Sequence, residues 1–255
     1  MFIVIKESHI IFCLLMIFCI SILAVQQNGT AYASVFFNKQ PSRLVPVYQV
    51  ETQEQKVAIS FDAAWGADKT QEIMQVLKEY NANATFFLVG FWADKYPEIT
   101  KQIAENGFEI GTHSTSHLDM ATISQQEVEK DLSESISTIQ NISGITPTVF
   151  RPPYGSYNNT LINTATSLNL TTVQWSIDTL DWKGLSSTEI ASRVEAKVQN
   201  GSIILCHNNA DHVVEATKLI LILLQQKNLK CVSVSELLLK GETYIDSQGT
   251  QRQKT

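Results

Sequence analysis

Short apolar runs alternate with helix-forming segments along most of this chain, and this alternation limits its fold more than any other feature. Strand-like runs rich in β-branched and aromatic residues recur along it, at residues 57–61, 85–90, 108–111, 148–150, 172–175, 202–206 and 230–234. Segments such as residues 124–140, whose apolar side chains fall at helical spacing, separate them. Strands joined by helices pair in parallel through right-handed crossovers. The sequence therefore predicts an α/β fold, namely an incomplete or distorted (β/α) barrel of seven to eight parallel strands.

The two ends of the chain differ from this central part. An apolar run from Ile10 to Val25 follows Lys6, and Ala31-Tyr32-Ala33 has the small-x-small pattern of a cleavage site. Residues 1–33 are therefore interpreted as a signal peptide or an uncleaved N-terminal membrane anchor, and the rest of the chain as exported. We expect a connector over 34–55, one folded domain over 56–240 and a disordered polar tail over 241–255.

The net charge and the cysteine content argue against a nucleic-acid-binding surface and against sites built from cysteines. The net charge is −6, and Lys and Arg form no cluster, so a nucleic-acid surface is not expected. Of the four cysteines, only Cys206 and Cys231 lie outside the leader, both in apolar strand-like runs. A disulfide between them requires neighbouring strands, and we expect buried free thiols instead. The chain has neither a disulfide framework nor a cysteine-based metal site.

Reactive side chains follow the first and third predicted strands. Asp62 ends the run Val57–Phe61, where an isolated Asp is more often a solvated turn residue or a helix N-cap. His113 and His117 are four residues apart, so one metal ion can contact both imidazoles, although this spacing alone is a weak signal. The carboxyl ends of parallel strands converge on one cleft. The recurrence of such residues at strand ends therefore favours a shared site.

Later strand ends carry further candidates. Arg151 precedes two prolines that fix the backbone before Tyr154; its guanidinium could fork onto Asp62, or it could have a purely structural role. Trp182 lies beside acidic residues, a combination typical of a sugar-binding groove wall. His207 stands where an apolar strand stops, a place also occupied by histidines at the edge of a core.

Five ordered motifs give the chain a family resemblance. They are Ser60-Phe61-Asp62, His113-Ser114-Thr115-Ser116-His117, Arg151-Pro152-Pro153-Tyr154, Asp178-Thr179-Leu180-Asp181-Trp182 and Leu205-Cys206-His207. In this order they resemble the polysaccharide deacetylases, the NodB-homology family, over residues 56–239. The resemblance is greatest to the PdaB-like sporulation branch.

The resemblance implies a hydrolase that removes N-acetyl groups from an N-acetylated glycan such as peptidoglycan. It implies one divalent metal ion, commonly zinc, with cobalt, nickel or manganese as alternatives, and we expect a monomer. By analogy His113 and His117 bind the ion, and Asp62 is the general base that Arg151 keeps ionised. His207 is the general acid whose pKa Asp181 raises, and the Tyr154 N–H meets the oxyanion.

One position departs from the family pattern. The first motif normally has a second aspartate, the third metal ligand, and this chain has Ala63 there. Water, Asp62 itself, or a nearby acid such as Asp68 or Asp119 would have to complete the site, with weaker metal binding. The alternative hypothesis is therefore a catalytically impaired glycan-binding or structural protein of the spore envelope. Esterase action on acetylated xylan is a third possibility.

Overall fold

The computed structural model describes Met16 and residues 43–254. Its strands in chain order are β1 (Gln49–Val50), β2 (Lys56–Ala63), β3 (Thr85–Leu88), β4 (Glu109–Thr112), β5 (Val149–Phe150), β6 (Thr171–Thr172), β7 (Ile177–Asp178), β8 (Ile203–His207), β9 (Lys230–Val232), β10 (Thr243–Ile245) and β11 (Thr250–Gln253). Strands β2 to β9 form one sheet in which every pairing is parallel.

The order of strands shows that this sheet is curled. It runs β6-β5-β4-β3-β2-β8-β7, with β9 pairing the start of β2. The edge strands β6 and β7 are joined only by residues 173–176, which span at most roughly 17 Å. The two edges must therefore lie close together, and Val47 forms a bridge with Val173 beside them. The predicted incomplete barrel of parallel strands is confirmed.

Most helices cover the outer face of the sheet, whereas the short helix after β9 packs its Val234 and Leu237 in the same interior cluster as Ala58. Among residues 43–254 the helices are α1 (Thr70–Glu79), α2 (Gly90–Lys95), α3 (Pro97–Glu105), α4 (Gln125–Ser143), α5 (Asn159–Ser167), α6 (Ser187–Glu195), α7 (Val213–Gln226) and α8 (Val234–Leu237). A capping box opens α4, with the Ser124 hydroxyl and the Glu127 carboxylate satisfying each other's backbone N–H groups. The same device opens α6 at Ser186.

Strand β2 divides its side chains between two environments. The residues Val57, Ile59, Phe61 and Ala63 belong to the apolar core that includes the helices. The alternate residues Ala58, Ser60 and Asp62 face the barrel interior, as the period of two in a strand requires. Asp62 therefore ends an inward column, and Ala63 faces the opposite side.

The expectation of a disordered tail over 241–255 is wrong. Strands β10 and β11 form an antiparallel hairpin, and β11 pairs in parallel with β1, inside the predicted connector. Arg252 forms ion pairs with Asp246 and Glu51, which stabilise this polar sheet. Composition gave no sign of the hairpin because its partner strand lies about 200 residues away in the sequence.

Short elements also differ from the prediction. The strand expected over 85–90 stops at Leu88, where α2 follows after one residue. The strand expected over 230–234 ends at Val232, because the Ser233 hydroxyl accepts the Glu236 N–H and caps α8. Strand β7 was not predicted at all. It has only two residues, too few for a periodic signal.

Apart from Met16, the predicted leader over 1–33 and the connector up to residue 42 lie outside the described residues. Within the described part, we find no helix that is both long enough and apolar enough to cross a membrane. Cys206 and Cys231 are buried free thiols, as predicted.

Candidate active site

A cleft of about 680 Å³ lies at the carboxyl ends of the parallel strands. Seven of the eight predicted site residues line it, namely Asp62, His113, His117, Tyr154, Asp181, Trp182 and His207. The eighth, Arg151, is fully buried and reaches the cleft through Asp62. Asp62 and His207 are direct partners in the parallel register of β2 and β8, so these two strands bring residues 145 positions apart side by side.

Arg151 fixes the position and charge of Asp62. Its Nη1 donates to Asp62 Oδ1 at 2.7 Å and to Ser60 Oγ at 2.9 Å. Its Nη2 donates to the Gln174 carbonyl at 2.9 Å, and the guanidinium lies 4.2 Å from the Phe87 ring centroid. Burial acts to raise the pKa of Asp62, but the Arg151 charge and, to a lesser extent, His113 and His207 lower it below its ordinary value. Asp62 is therefore held as a carboxylate.

His113 is held in one tautomer. Its Nδ1 lies 2.7 Å from the Arg151 carbonyl oxygen, which can only accept, so Nδ1 carries the proton. The lone pair is then on Nε2, which lies 3.6 Å from Asp62 Oδ2. Burial lowers the pKa of His113 despite the nearby Asp62 charge. A neutral imidazole with a fixed outer hydrogen bond is the form that binds metal ions.

His117 packs among aromatic rings. Its ring centroid lies 5.0 Å from that of His113, 4.8 Å from Trp65 and 4.7 Å from Tyr154. Burial, and to a lesser extent the neighbouring His113, lowers the pKa of His117 to about 4. Its Nδ1 is buried without a hydrogen-bond partner among the described residues. Both imidazoles are therefore neutral near pH 7 and lie next to each other.

Asp181 holds His207 by two hydrogen bonds. Its Oδ1 lies 2.7 Å from His207 Nδ1, and its Oδ2 accepts the His207 backbone N–H at 2.7 Å. Burial acts to lower the pKa of His207, but the hydrogen bond and charge of Asp181 outweigh it and raise the pKa above its ordinary value. Since Nδ1 faces Asp181, Nε2 remains for a ligand in the cleft.

Exposed aromatic side chains line the cleft. Trp182 and Tyr154 were predicted there, and Trp65 was not, although it is 65% exposed. Tyr154 has a φ of 60°, a left-handed conformation that follows two prolines and sets the direction of its backbone. A signal that could have identified Trp65 is its position three residues after Asp62, because a large apolar side chain is unusual in a loop beside a candidate site.

Of the proposed metal ligands, the structure brings together only the imidazoles of His113 and His117. Ala63 is fully buried in the apolar core. Asp68 and Asp119, considered above as substitute ligands, are both absent from the cleft lining. Over residues 43–254 no three His, Cys, Asp or Glu side chains are grouped so that they could hold a metal ion. Catalytic zinc sites use three protein ligands, so His113 and His117 form a reduced version of such a site.

Comparison with known proteins establishes the family. A peptidoglycan-N-acetylglucosamine deacetylase of Bacillus cereus is 32% identical over 196 residues, and the match covers 75% of this chain and 92% of that protein. The chain belongs to the polysaccharide deacetylase family. The family model for polysaccharide deacetylases matches residues 49–173. An uncharacterized protein of Bacillus subtilis, YlxY, is 31% identical over 193 residues, which are 76% of this deacetylase-family chain and 60% of YlxY.

Solved structures of the family share the fold. A family 4 carbohydrate esterase pseudoenzyme from Bacillus anthracis has a TM-score of 0.74 at 28% identity, covering 76% of this chain and 68% of that one. A mutant of the same pseudoenzyme, described as having restored enzymatic activity, has a TM-score of 0.74 at 30% identity, covering 76% and 71%. The family therefore includes both deacetylases and a pseudoenzyme.

Proposed function

We propose that this family member hydrolyses N-acetyl groups of a peptidoglycan-type glycan outside the cytoplasmic membrane. The observation that carries the proposal is the pair Asp62 and His207, register partners in one cleft whose environments favour opposite protonation states. The deacetylase relatives in Bacillus support the substrate class. The resemblance to the PdaB-like branch extends the proposal to the cell wall formed in sporulation.

Amide hydrolysis needs a base and an acid at once, and the two partners supply them. Asp62, ionised by its contact with Arg151, takes a proton from the attacking water. The Tyr154 N–H donates to the oxyanion that forms as the acetyl carbonyl becomes tetrahedral. His207, protonated through Asp181, gives its proton to the leaving nitrogen as the C–N bond breaks. The products are acetate and a free amine on the sugar.

His113 and His117 are the residues that would hold a divalent metal ion. Such an ion would supply Lewis-acid polarisation of the acetyl carbonyl. The Arg151 carbonyl orients His113, and the surrounding rings orient His117, so both imidazoles are arranged before any ion arrives. With two protein ligands, affinity for the ion is expected to be weaker than in a three-ligand site.

Acetate release from N-acetylglucosamine oligomers and peptidoglycan, with zinc, cobalt, nickel or manganese added, tests the proposal. The control is Asp62→Asn, which keeps the shape of the side chain and removes its basicity. We expect release by the wild-type protein and a loss of roughly 100-fold or more in the variant. Absence of acetate with every metal and substrate would contradict the proposal.

A glycan-binding protein with impaired catalysis is the second candidate. Two observations favour it, the apolar burial of Ala63 and the similarity to a pseudoenzyme. On this alternative, the protein binds peptidoglycan fragments with the same affinity before and after chelation of metal, and it releases no acetate. Metal-dependent binding accompanied by acetate release would exclude it.

A further inference from the structure

The loop that carries both metal-binding candidates is strained. Ser114 has a φ of 73° and His117 a φ of 54°, both in the left-handed region that non-glycine residues rarely adopt. A loop of this kind keeps its conformation only where surrounding contacts determine it. One such contact lies within the loop, where the His117 N–H donates to Ser114 Oγ at 2.8 Å.

A second set of contacts comes from helix α4. The Asp131 carboxylate accepts the Thr115 N–H at 2.7 Å, and the Thr115 hydroxyl donates to the Asp131 backbone carbonyl at 2.6 Å. The backbone and hydroxyl of Ser116 also lie close to this carboxylate. Asp131 is only 7% exposed, although burying a carboxylate is costly unless it is well hydrogen-bonded. Its position is rigid because the neighbouring Val128 and Leu132 pack in an apolar cluster.

We propose that Asp131 is a positioning residue that sets the relative placement of the His113 and His117 imidazoles. Its carboxylate accepts the Thr115 N–H in the middle of the loop, two residues from each histidine. The expected effect of Asp131 on metal affinity rests on the proposed function. Its expected effect on the conformation of the loop holds whether or not the protein binds a metal ion.

Three variants of the full chain test this role. Asp131→Ala removes the acceptor, and Asp131→Asn keeps one acceptor oxygen in the same place. Glu134→Gln is the control, since Glu134 is an exposed acid on the same helix whose ion pair is with Lys130, at 3.8 Å. The readouts are amide hydrogen exchange of Thr115 and Ser116 in the metal-free protein, and cobalt affinity with its absorption spectrum.

For Asp131→Ala we expect faster exchange at Thr115 and Ser116, a changed cobalt spectrum and cobalt binding weakened roughly 10- to 100-fold. Asp131→Asn should lie between this variant and wild type, and it decides the question if the alanine variant does not fold. Glu134→Gln should match wild type in every readout. Wild-type exchange and a wild-type cobalt spectrum in the Asp131 variants would overturn the proposal. Failure of the wild-type protein to bind cobalt would count against the proposed function, and hydrogen exchange alone would then decide the role of Asp131.

Discussion

Arg151 and Asp62 form an ion pair that is almost completely removed from solvent. The Arg151 side chain is fully buried and the Asp62 side chain is 7% exposed, with 2.7 Å between Nη1 and Oδ1. Removing one member of a buried pair leaves the other as an uncompensated charge in the interior. The pair therefore links the stability of the barrel to the ionisation of the proposed base.

Arg151→Ala is expected to destabilise the fold by about 3–5 kcal/mol at pH 7, because it strands the Asp62 carboxylate. The lowered pKa of Asp62 means that this stabilisation is present above the unfolded-state pKa near 3.8 and is lost as the pH falls through the lower folded-state pKa. Urea denaturation at pH 7 measures the loss. The control is Arg252→Ala, which removes two partly exposed ion pairs, with Asp246 and Glu51, and should cost much less because solvent screens them. Equal losses in the two variants would argue against a special role for the buried pair.

Asp181→Asn is expected to lower the pKa of His207, since it removes the charge that holds the proton. Acid catalysis by His207 falls as the pH rises through its pKa, so the alkaline limb of the activity profile should move to lower pH. The stability that the Asp181–His207 contact contributes to the fold also decreases as the pH rises. It is complete below the unfolded-state histidine pKa near 6.5 and is lost as the pH rises through the raised folded-state pKa.

An NMR titration of the His207 ring protons measures this change without any substrate. The matched control is Asp178→Asn, because Asp178 also lines the cleft but its Oδ1 accepts the Leu180 N–H. Its substitution should shift the His207 titration less than that of Asp181. A larger shift from Asp178→Asn would contradict the assignment.

Ala63 faces the apolar core, which disfavours a carboxylate, so Ala63→Asp, at this last residue of β2, is expected to turn its side chain toward His113 and His117 and to tighten zinc binding by about tenfold or more. The metal-free variant should be less stable than wild type, since Ala63 is fully buried among apolar side chains. Calorimetric titration with zinc and urea denaturation with and without zinc measure both effects. Ala64→Asp adds the same charge one residue later, on a residue that lines the cleft, and tests whether any added carboxylate there is sufficient. Equal zinc affinity in the two variants would mean that the added negative charge, and not a ligand at position 63, tightens zinc binding.

Trp65→Ala is expected to weaken binding of N-acetylglucosamine oligomers about tenfold, because the exposed indole offers an apolar face beside His117. Tyr244→Ala is the control, an exposed aromatic on strand β10 outside the cleft lining. Calorimetry in the absence of metal separates this contact from catalysis. Similar affinities for the two variants would exclude Trp65 from the binding surface.

The sequence predicted the barrel and the cleft well because both follow from local signals. Each parallel strand is a short apolar run, and the reactive residue follows the strand at its carboxyl end, so Asp62 and His207 could be placed without knowing which strands pair. Their direct register could not be predicted, since nothing in residues 57–62 specifies β8 as a neighbour. Strand pairing depends on the whole sheet.

Features that depend on distant contacts escaped prediction. Asp131 reads as one more acid on an amphipathic helix, and only the structure shows its carboxylate beneath the histidine loop. The C-terminal hairpin is polar, and its partner β1 comes before the first long strand. The orientation of Ala63 toward the apolar core was not predicted, because strand alternation gives it only once β2 is known to extend through Ala63.

Residues 173–176, which join the two edges of the sheet, have a consequence for redesign of this scaffold. Gln174 accepts a hydrogen bond from Arg151 through its carbonyl, and the Trp175 ring lies 5.6 Å from the same guanidinium. Inserting residues into segment 173–176 would remove these contacts of Arg151. Arg151 would then no longer hold the Asp62 carboxylate in its position in the cleft. The turn at Gly144 has open surroundings and offers a safer place to graft a loop or a label.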